Sequence, residues 1–332
     1  MKEQGNPGIM DRDATLFVAG GETLIGAAIL RELSRGGYTG VIPASSGPNL
    51  CDRREVDAFF NDYRPEYVFV AAGKSGGILA NTRYPAELML DNLLSAANVI
   101  HSAHTHRVKK LLYLASSCSY PKAAPQPLRP ESLMTGPLEP TNAAYATAKL
   151  AGIALCEAYR AQYGDDFIAG IPANAFGPGD DFSEENSHVV GGLIRRMHAA
   201  KVAGAPAVTI WGTGEPRREF VFADDIAQAC IHVMKTYTGD APINLGSGEN
   251  VSIRELAELV RDVVGYAGEL RFDTGKPDGM PLKTLDSSAL RALGWNDAPP
   301  LRDALDITYK WFLQTKQGGQ NARLVTAETV RD

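Results

Sequence analysis

The chain has 332 residues, 44% of them hydrophobic and 22% charged, with a formal net charge of −6, which suits one large or two closely joined globular domains. That acidic balance, with no basic stripe, excludes a nucleic-acid partner, and an anionic ligand would have to be met by a local cluster of cations. No apolar run approaches the roughly 20 residues needed to span a bilayer, so no membrane partner is expected.

The first residues, "MKEQGNPGIMDRDAT", lack the apolar stretch of a secretory leader, and 1–13 and 315–332 read as flexible tails. "TLFVAG" (15–20) is a short apolar run ending in glycine, the pattern of a buried parallel strand. In "LIGAAILRELSRGGY", Ile25, Ala28, Ile29 and Leu33 share a helical face, and Gly36-Gly37 stops the helix. "GVIPAS" is expected as a second strand, "RREVDAFFNDYRP" as a helix ended by Pro65, and "YVFVAAG" (67–73) as a third strand. A helix over 85–104, a strand over 109–117, a helix over 143–163 and a strand in "DFIAGIPANAFGP" follow.

Strands alternating with helices predict βαβ units and an α/β fold, a Rossmann-type doubly wound parallel sheet. From about Ala173 the alternation breaks into Gly- and Pro-rich loops, with helices in "HVVGGLIRRMHAAK" and "IRELAELVRDVVG". This half is expected to form a smaller, interleaved C-terminal substrate-binding domain. The expected division is a dinucleotide-binding unit over 14–173, with a returning segment at 219–246, and a substrate-binding region over 174–218 and 247–314. Four scattered cysteines (Cys51, Cys118, Cys156, Cys230) without a C-x-x-C pair fit a reducing cytoplasm and argue against a disulfide framework or a metal site.

Strand, glycine turn and helix around "VAGGETLIG" (18–26) make a phosphate-cradling loop credible. Gly20 permits the tight turn and Gly26 close packing of helix on sheet. Thr23 stands where a middle glycine usually lets backbone approach a pyrophosphate, and Glu22 adds a negative charge. The helix N-terminus still offers amides and a positive dipole end. At the second strand's end, "PASSGPN" carries neither an acid for a ribose 2′-hydroxyl nor an arginine for a 2′-phosphate; Ser45 and Ser46 suit either. Asp52 is a candidate for the adenine edge.

"YATAK" sets Tyr145 and Lys149 four apart on one helix face, where a lysine can lower the tyrosine pKa and ready it to protonate a carbonyl oxygen. The pair alone also suits a helix surface. "ASSC" places Ser116 and Ser117 at a strand's carboxyl end, where ligands bind in such sheets. Cys118 alone also fits a small buried residue, and His188 alone a capping or surface residue.

Taken together, "AAGKSGGILAN", "SSCSYPK", "LEPTNAAYATAKLAGIALCEAYRAQYG", "NSHVV", "WGTGEPRREF" and "KPDGMPLKTLD" make the chain resemble, from about Thr15 to Leu313, the extended short-chain dehydrogenase/reductase family and its GDP-4-keto-6-deoxymannose epimerase/reductases. The resemblance implies a reductase triad of Ser116, Tyr145 and Lys149. It implies an epimerisation pair, Cys118 and His188, that removes and returns protons beside a C4 ketone. Residues implied at the dinucleotide are Gly20, Glu22, Thr23, Leu24, Ile25, Gly26, Asp52, Ala71, Ala72, Tyr145, Lys149, Pro172 and Asn174. Those implied at the GDP-sugar are Ser117, Asn174, His188, Val189, Arg196, Trp211, Arg218 and Lys283. Members of this kind usually carry glycine at the position of Thr23 and arginines at those of Glu22 and near Ser45. Their replacement here favours NAD(H), with NADP(H) as the other choice. The helices over 85–104 and 143–163 resemble those that pair across a two-fold axis, so a homodimer is expected. Two other activities stand beside this one: epimerisation alone or reduction of a related GDP-sugar, and nucleotide-sugar binding without catalysis.

Overall fold

Four of the apolar runs predicted as strands meet in one parallel sheet. The computed structural model describes residues 10–184, 186–276, 278–295 and 299–317. In chain order the N-terminal half contains β1 (Leu16–Ala19), α1 (Leu24–Arg35), α2 (Arg53–Tyr63), β2 (Tyr67–Val70), α3 (Ile78–Arg83), α4 (Pro85–Thr105), β3 (Lys110–Leu114), α5 (Ala143–Tyr163), β4 (Phe167–Pro172) and β5 (Asn174–Phe176). The C-terminal half adds α6 (Val189–Ala203), β6 (Ala207–Trp211), β7 (Arg217–Arg218), β8 (Phe220–Phe222), α7 (Ala223–Thr236), β9 (Ile243–Leu245), β10 (Val251–Ser252), α8 (Ile253–Val264), β11 (Glu269–Asp273), β12 (Leu282–Lys283), α9 (Ser288–Ala292) and α10 (Leu301–Gln317).

The main sheet runs β1-β2-β3-β4-β9, every pairing parallel. β1, β2 and β3 are buried along their whole length, as a parallel sheet covered on both faces requires. α1 packs with α7, and α4 packs with α2 and α5. The expected second strand, "GVIPAS", does not form as a strand. Its Val41 bridges to Leu16 on the free side of β1, with bonds from the Leu16 amide to the Gly40 carbonyl and from the Ile42 amide to the Leu16 carbonyl. Pro43 has no amide to extend that ladder, and residues 44–46 coil into a 3-10 turn. The chain therefore leaves β1 on one side and returns on the other as β2. That reversal opens a crevice at the carboxyl end of β1, the usual ligand position in such sheets.

The tails are shorter than expected. Met10 is buried, the Thr39 amide bonds the Arg12 carbonyl, and α10 continues to Gln317; residues 1–9 and 318–332 of the expected tails lie outside the described residues. In the C-terminal half, small sheets replace the long one: β10-β7-β12, β11-β6 and β5-β8. A second apolar cluster gathers α6, α8 and α10 around Leu193, Met197, Leu256, Val260 and Leu305. A capping box between Ser252 and Glu255 starts α8.

α5 can lie close to β3 because position 152 has no side chain. A Cβ there would stand 2.3 Å from the Tyr113 ring, and both residues are in the interior. Gly152→Ala should cost about 1–3 kcal/mol by overpacking. The check is the urea midpoint: an unchanged value would mean that α5 is not held by this contact.

Candidate active site

The loop after β1 is built around close backbone approaches. Gly20 has φ +81°, and a Cβ there would lie 2.5 Å from the Ala72 Cα, while one on Gly26 would lie 1.9 Å from the Gly20 carbonyl oxygen. Thr23 answers the missing middle glycine. Its hydroxyl accepts from the Gly26 amide, capping α1, and is within hydrogen-bond reach of the Gly20 and Ala71 carbonyl oxygens. The side chain is thus turned into the turn and ties it to the end of β2. The amides of Leu24 and Ile25 open α1 with its positive dipole end, so the loop fits a diphosphate. Glu22 is exposed beside it. Asp52 caps α2, one carboxylate oxygen accepting from the Arg54 and Glu55 amides.

At the carboxyl end of β3, Ser116 starts a single helical turn over Ser117–Ser119 and its hydroxyl accepts from the Cys118 amide at 3.2 Å. Ser117 is buried, whereas Ser116 and Cys118 keep some exposure. Tyr145, on the first turns of α5, hydrogen-bonds Ser116 and lies close enough to Cys118 for their charges to interact. One turn on, the Lys149 amine stands 5.9 Å from the Tyr145 ring centre. That amine is buried and donates to the Ala72 carbonyl oxygen, two residues past β2, and to the Leu114 carbonyl oxygen at the end of β3.

The electrostatics differ from expectation in one respect. Lys149 was expected to lower the Tyr145 pKa. Instead Tyr145 is raised, first by burial and then by Cys118, with the Ser116 hydrogen bond opposing. Burial also pushes Lys149 down to about 8, with Asp91 opposing, so the lysine is a weakened cation. Tyr145 is therefore a neutral hydroxyl near pH 7, a proton donor.

His188 caps the start of α6 without a side-chain capping bond, and Val189 follows, exposed, in the first turn. The loop before it rests on Gly77, where a Cβ would meet the Ser187 carbonyl oxygen at 3.1 Å. The His188 side chain keeps exposed area, but surrounding protein disfavours its charged form and lowers its pKa, with Asp181 opposing. Among the described residues no hydrogen bond joins His188 to Cys118 or Tyr145. Asn174 donates to the Glu219 carbonyl oxygen and Pro172 ends β4 beside Leu245.

The expected sugar-nucleotide residues divide. Trp211 is 61% exposed with the Lys276 amine 5.4 Å over its ring centre. Arg196 and Arg218 are half-buried, and burial lowers both pKa values. Arg196 bonds the Gly192 and Thr209 carbonyls and Arg218 the Arg217 carbonyl. Lys283 bonds the Cys118 sulfur.

Two residues escaped the sequence reading. Asp278 accepts from the amide and hydroxyl of Thr213 at 2.7 and 2.8 Å, joining the "WGTGEP" and "KPDG" loops. Glu219, nearly fully buried, accepts from the Leu285 and Gly248 amides, and burial raises its pKa. Nothing in their spacing marks either residue; the loops that hold them meet only in the fold.

Residues 16–246 match the NAD dependent epimerase/dehydratase family. The chain belongs to that family. It is 52% identical over 305 residues to GDP-L-fucose synthase 1 of Arabidopsis thaliana, covering 92% of this chain and 94% of that one. It is 46% identical over 311 residues to GDP-L-fucose synthase of Escherichia coli K12, covering 91% and 97%. Among solved structures, a GDP-L-fucose synthetase from Naegleria fowleri bound to NADP superimposes with a TM-score of 0.86 at 30% identity, covering 94% and 96%.

Asp180, in the loop leading to His188, offers a test of that loop. It is buried, one of its carboxylate oxygens has no partner, and burial raises its pKa from 3.8 to about 7. A folded-state pKa raised in this way favours folding fully below pH 3.8, and the benefit is lost progressively as pH climbs to about 7. Asp180→Asn should therefore gain urea stability over the parent as pH rises from 5 to 8. A stability gap that stays constant with pH would contradict the burial account.

Proposed function

We propose that this enzyme epimerises a GDP-4-keto-6-deoxyhexose at the carbons flanking the ketone and then reduces the ketone, a conversion of the GDP-4-keto-6-deoxy-D-mannose to GDP-L-fucose type. One observation carries the reading. A cysteine sits in the same helical turn as the Ser116 that hydrogen-bonds Tyr145, close enough for its charge to act on that tyrosine. Ketone reduction alone needs no thiol there. The Arabidopsis and Escherichia coli relatives, both GDP-L-fucose synthases, support the same reading.

The chemistry follows from the groups present. Tyr145, joined to Ser116, hydrogen-bonds the C4 carbonyl oxygen. One member of the Cys118/His188 pair takes a proton from C3 or C5: the C–H bond breaks and its electron pair passes into an enolate whose charge lies on the C4 oxygen, beside Tyr145. Return of a proton to the other face of the ring inverts the carbon. When bound, a nicotinamide dinucleotide supplies the hydride for the final reduction. Tyr145 then gives its proton to the oxygen, and Lys149, weakened by burial but still cationic below about pH 8, stabilises the tyrosinate that remains.

We assign residues 14–173 and 219–246 to the dinucleotide and 174–218 and 247–314 to the sugar nucleotide; two apolar clusters support two units, with Leu285, Leu290 and Trp295 packing in the first cluster and Phe222 in the second. Residues 43–49 carry no cation and Glu22 lies exposed at the loop, which supports NADH as the better coenzyme; the NADP held by the Naegleria relative supports NADPH. Leu90 (58% exposed) and Leu94 (37% exposed) stand one turn apart on α4, supporting a homodimer through α4 and α5. The free thiols of Cys51, Cys118, Cys156 and Cys230 support a reducing compartment such as the cytoplasm. Among the described residues no helix is long and apolar enough to cross a membrane.

The test uses GDP-4-keto-6-deoxymannose with NADH and NADPH in parallel, and the same sugar in heavy water without reductant. Tyr145→Phe should lower reduction by about 100-fold or more, within the usual range for losing a general acid. Cys118→Ser should suppress deuterium entry at C3 and C5. Full activity in both variants would sink the proposal, and the faster coenzyme settles the ribose question. Separately, Leu90→Glu with Leu94→Glu should shift light-scattering mass from dimer to monomer; an unchanged mass would remove the α4 face from the interface.

A further inference from the structure

Lys283 was expected beside the diphosphate of the sugar nucleotide. The structure places its amine 3.5 Å from the Cys118 sulfur, to which it donates a hydrogen bond. The backbone around it is held from two sides. On one, Lys283 pairs with Arg218, and β12 runs parallel to β7. On the other, the Thr284 amide bonds the Gln126 side chain, the Leu128 amide bonds the Thr284 carbonyl, and the Asp286 amide bonds the Leu128 carbonyl. The Leu285 amide is bound by buried Glu219. A strap thus crosses from the sugar-binding half to the loop that follows the Cys118 turn, and Lys283 is the strap residue that reaches the sulfur.

The charge on Lys283 is not spent elsewhere. Among the described residues no carboxylate pairs with it. Tyr145 also lies within electrostatic reach of Cys118, and burial keeps that tyrosine neutral near pH 7. The Lys283 ammonium is a formal charge at hydrogen-bond distance from the sulfur. Adjacent cations favour thiolate over thiol, and the thiolate is the form able to take a proton.

We infer that Lys283 is a positioning residue for epimerisation, its ammonium holding the Cys118 sulfur as a thiolate aimed at the sugar ring. The inference rests on the epimerase reading for its substrate, though not for its charge contact. In the step it serves, an S–H bond forms and a C–H bond breaks. The electron pair moves to the ketone oxygen, and Lys283 keeps its own proton throughout.

Two readouts on the full-length protein separate this role from a phosphate contact. The first, without sugar, is the rate of iodoacetamide alkylation at Cys118 between pH 5.5 and 9.5, followed on the Cys118 peptide by mass spectrometry, with the Cys51 peptide as internal control. Lys283→Met should slow alkylation at pH 7 about tenfold and move the profile to higher pH, and Lys283→Arg should restore most of the rate. The second is deuterium entry into GDP-4-keto-6-deoxymannose in heavy water: kcat should fall in Lys283→Met while KM stays within about twofold, the pattern of a lost transition-state contribution. An unshifted alkylation profile with a raised KM would overturn the inference and return Lys283 to the diphosphate. A shifted profile in a protein whose parent exchanges no deuterium would uphold the charge contact and refute the epimerase reading instead. Lys283→Gln repeats both measurements should Lys283→Met fail to fold.

Discussion

The buried amine of Lys149 ties the catalytic end of the molecule together. Leaving a lysine in the interior is costly unless its protons find acceptors, and here they find the Ala72 carbonyl two residues past β2 and the Leu114 carbonyl that ends β3. Because Lys149 belongs to α5, this contact sets that helix against the carboxyl ends of two inner strands. Tyr145, one turn earlier, is thereby brought to Ser116, and Ser116 organises the turn that carries Cys118. The same burial that weakens Lys149 as a cation keeps Tyr145 protonated. The tyrosine is thus a proton donor in the free enzyme.

A second constraint acts from the C-terminal half. The strap over residues 282–286 is anchored by β7 on one side and by Gln126 and Leu128 on the other, with Glu219 beneath it. Its effect is to hold the C-terminal half of the chain against the Cys118 turn, with the Lys283 amine at the Cys118 sulfur. The loop holding His188 rests on Gly77 and is preceded by the partnerless carboxylate oxygen of Asp180. That loop spends burial energy on an acid it does not neutralise, and its packing becomes sensitive to pH near neutrality.

Much of the sheet was legible because parallel strands buried on both faces leave continuous apolar runs, as in "LFVA", "YVFV" and "KLLYL". The helices over 53–63, 85–105 and 143–163 were expected close to these bounds, the first ended by Pro65. "GVIPAS" misled because its apolar content suits a strand, while Pro43 permits a single bridge. Thr23 misled in the opposite sense. Judged as a replacement for glycine it obstructs a phosphate; in the fold its hydroxyl turns inward and caps the helix. Residue type alone does not tell which way a side chain points.

By itself the sequence determined the class of sheet, the order of its elements and the residue types of the site: a serine at a strand end, tyrosine and lysine one helical turn apart, a cysteine two residues past the serine. These are local facts, carried by spacing along one strand or one helix face. The tertiary structure alone decided which groups share charge. It turned Asp52 to a helix cap and raised the Tyr145 pKa where a neighbouring lysine was expected to lower it. It set Lys283 against a sulfur 165 positions away. Electrostatic partners and desolvation depend on distance and burial in space, and neither is written in the separation of two residues along the chain.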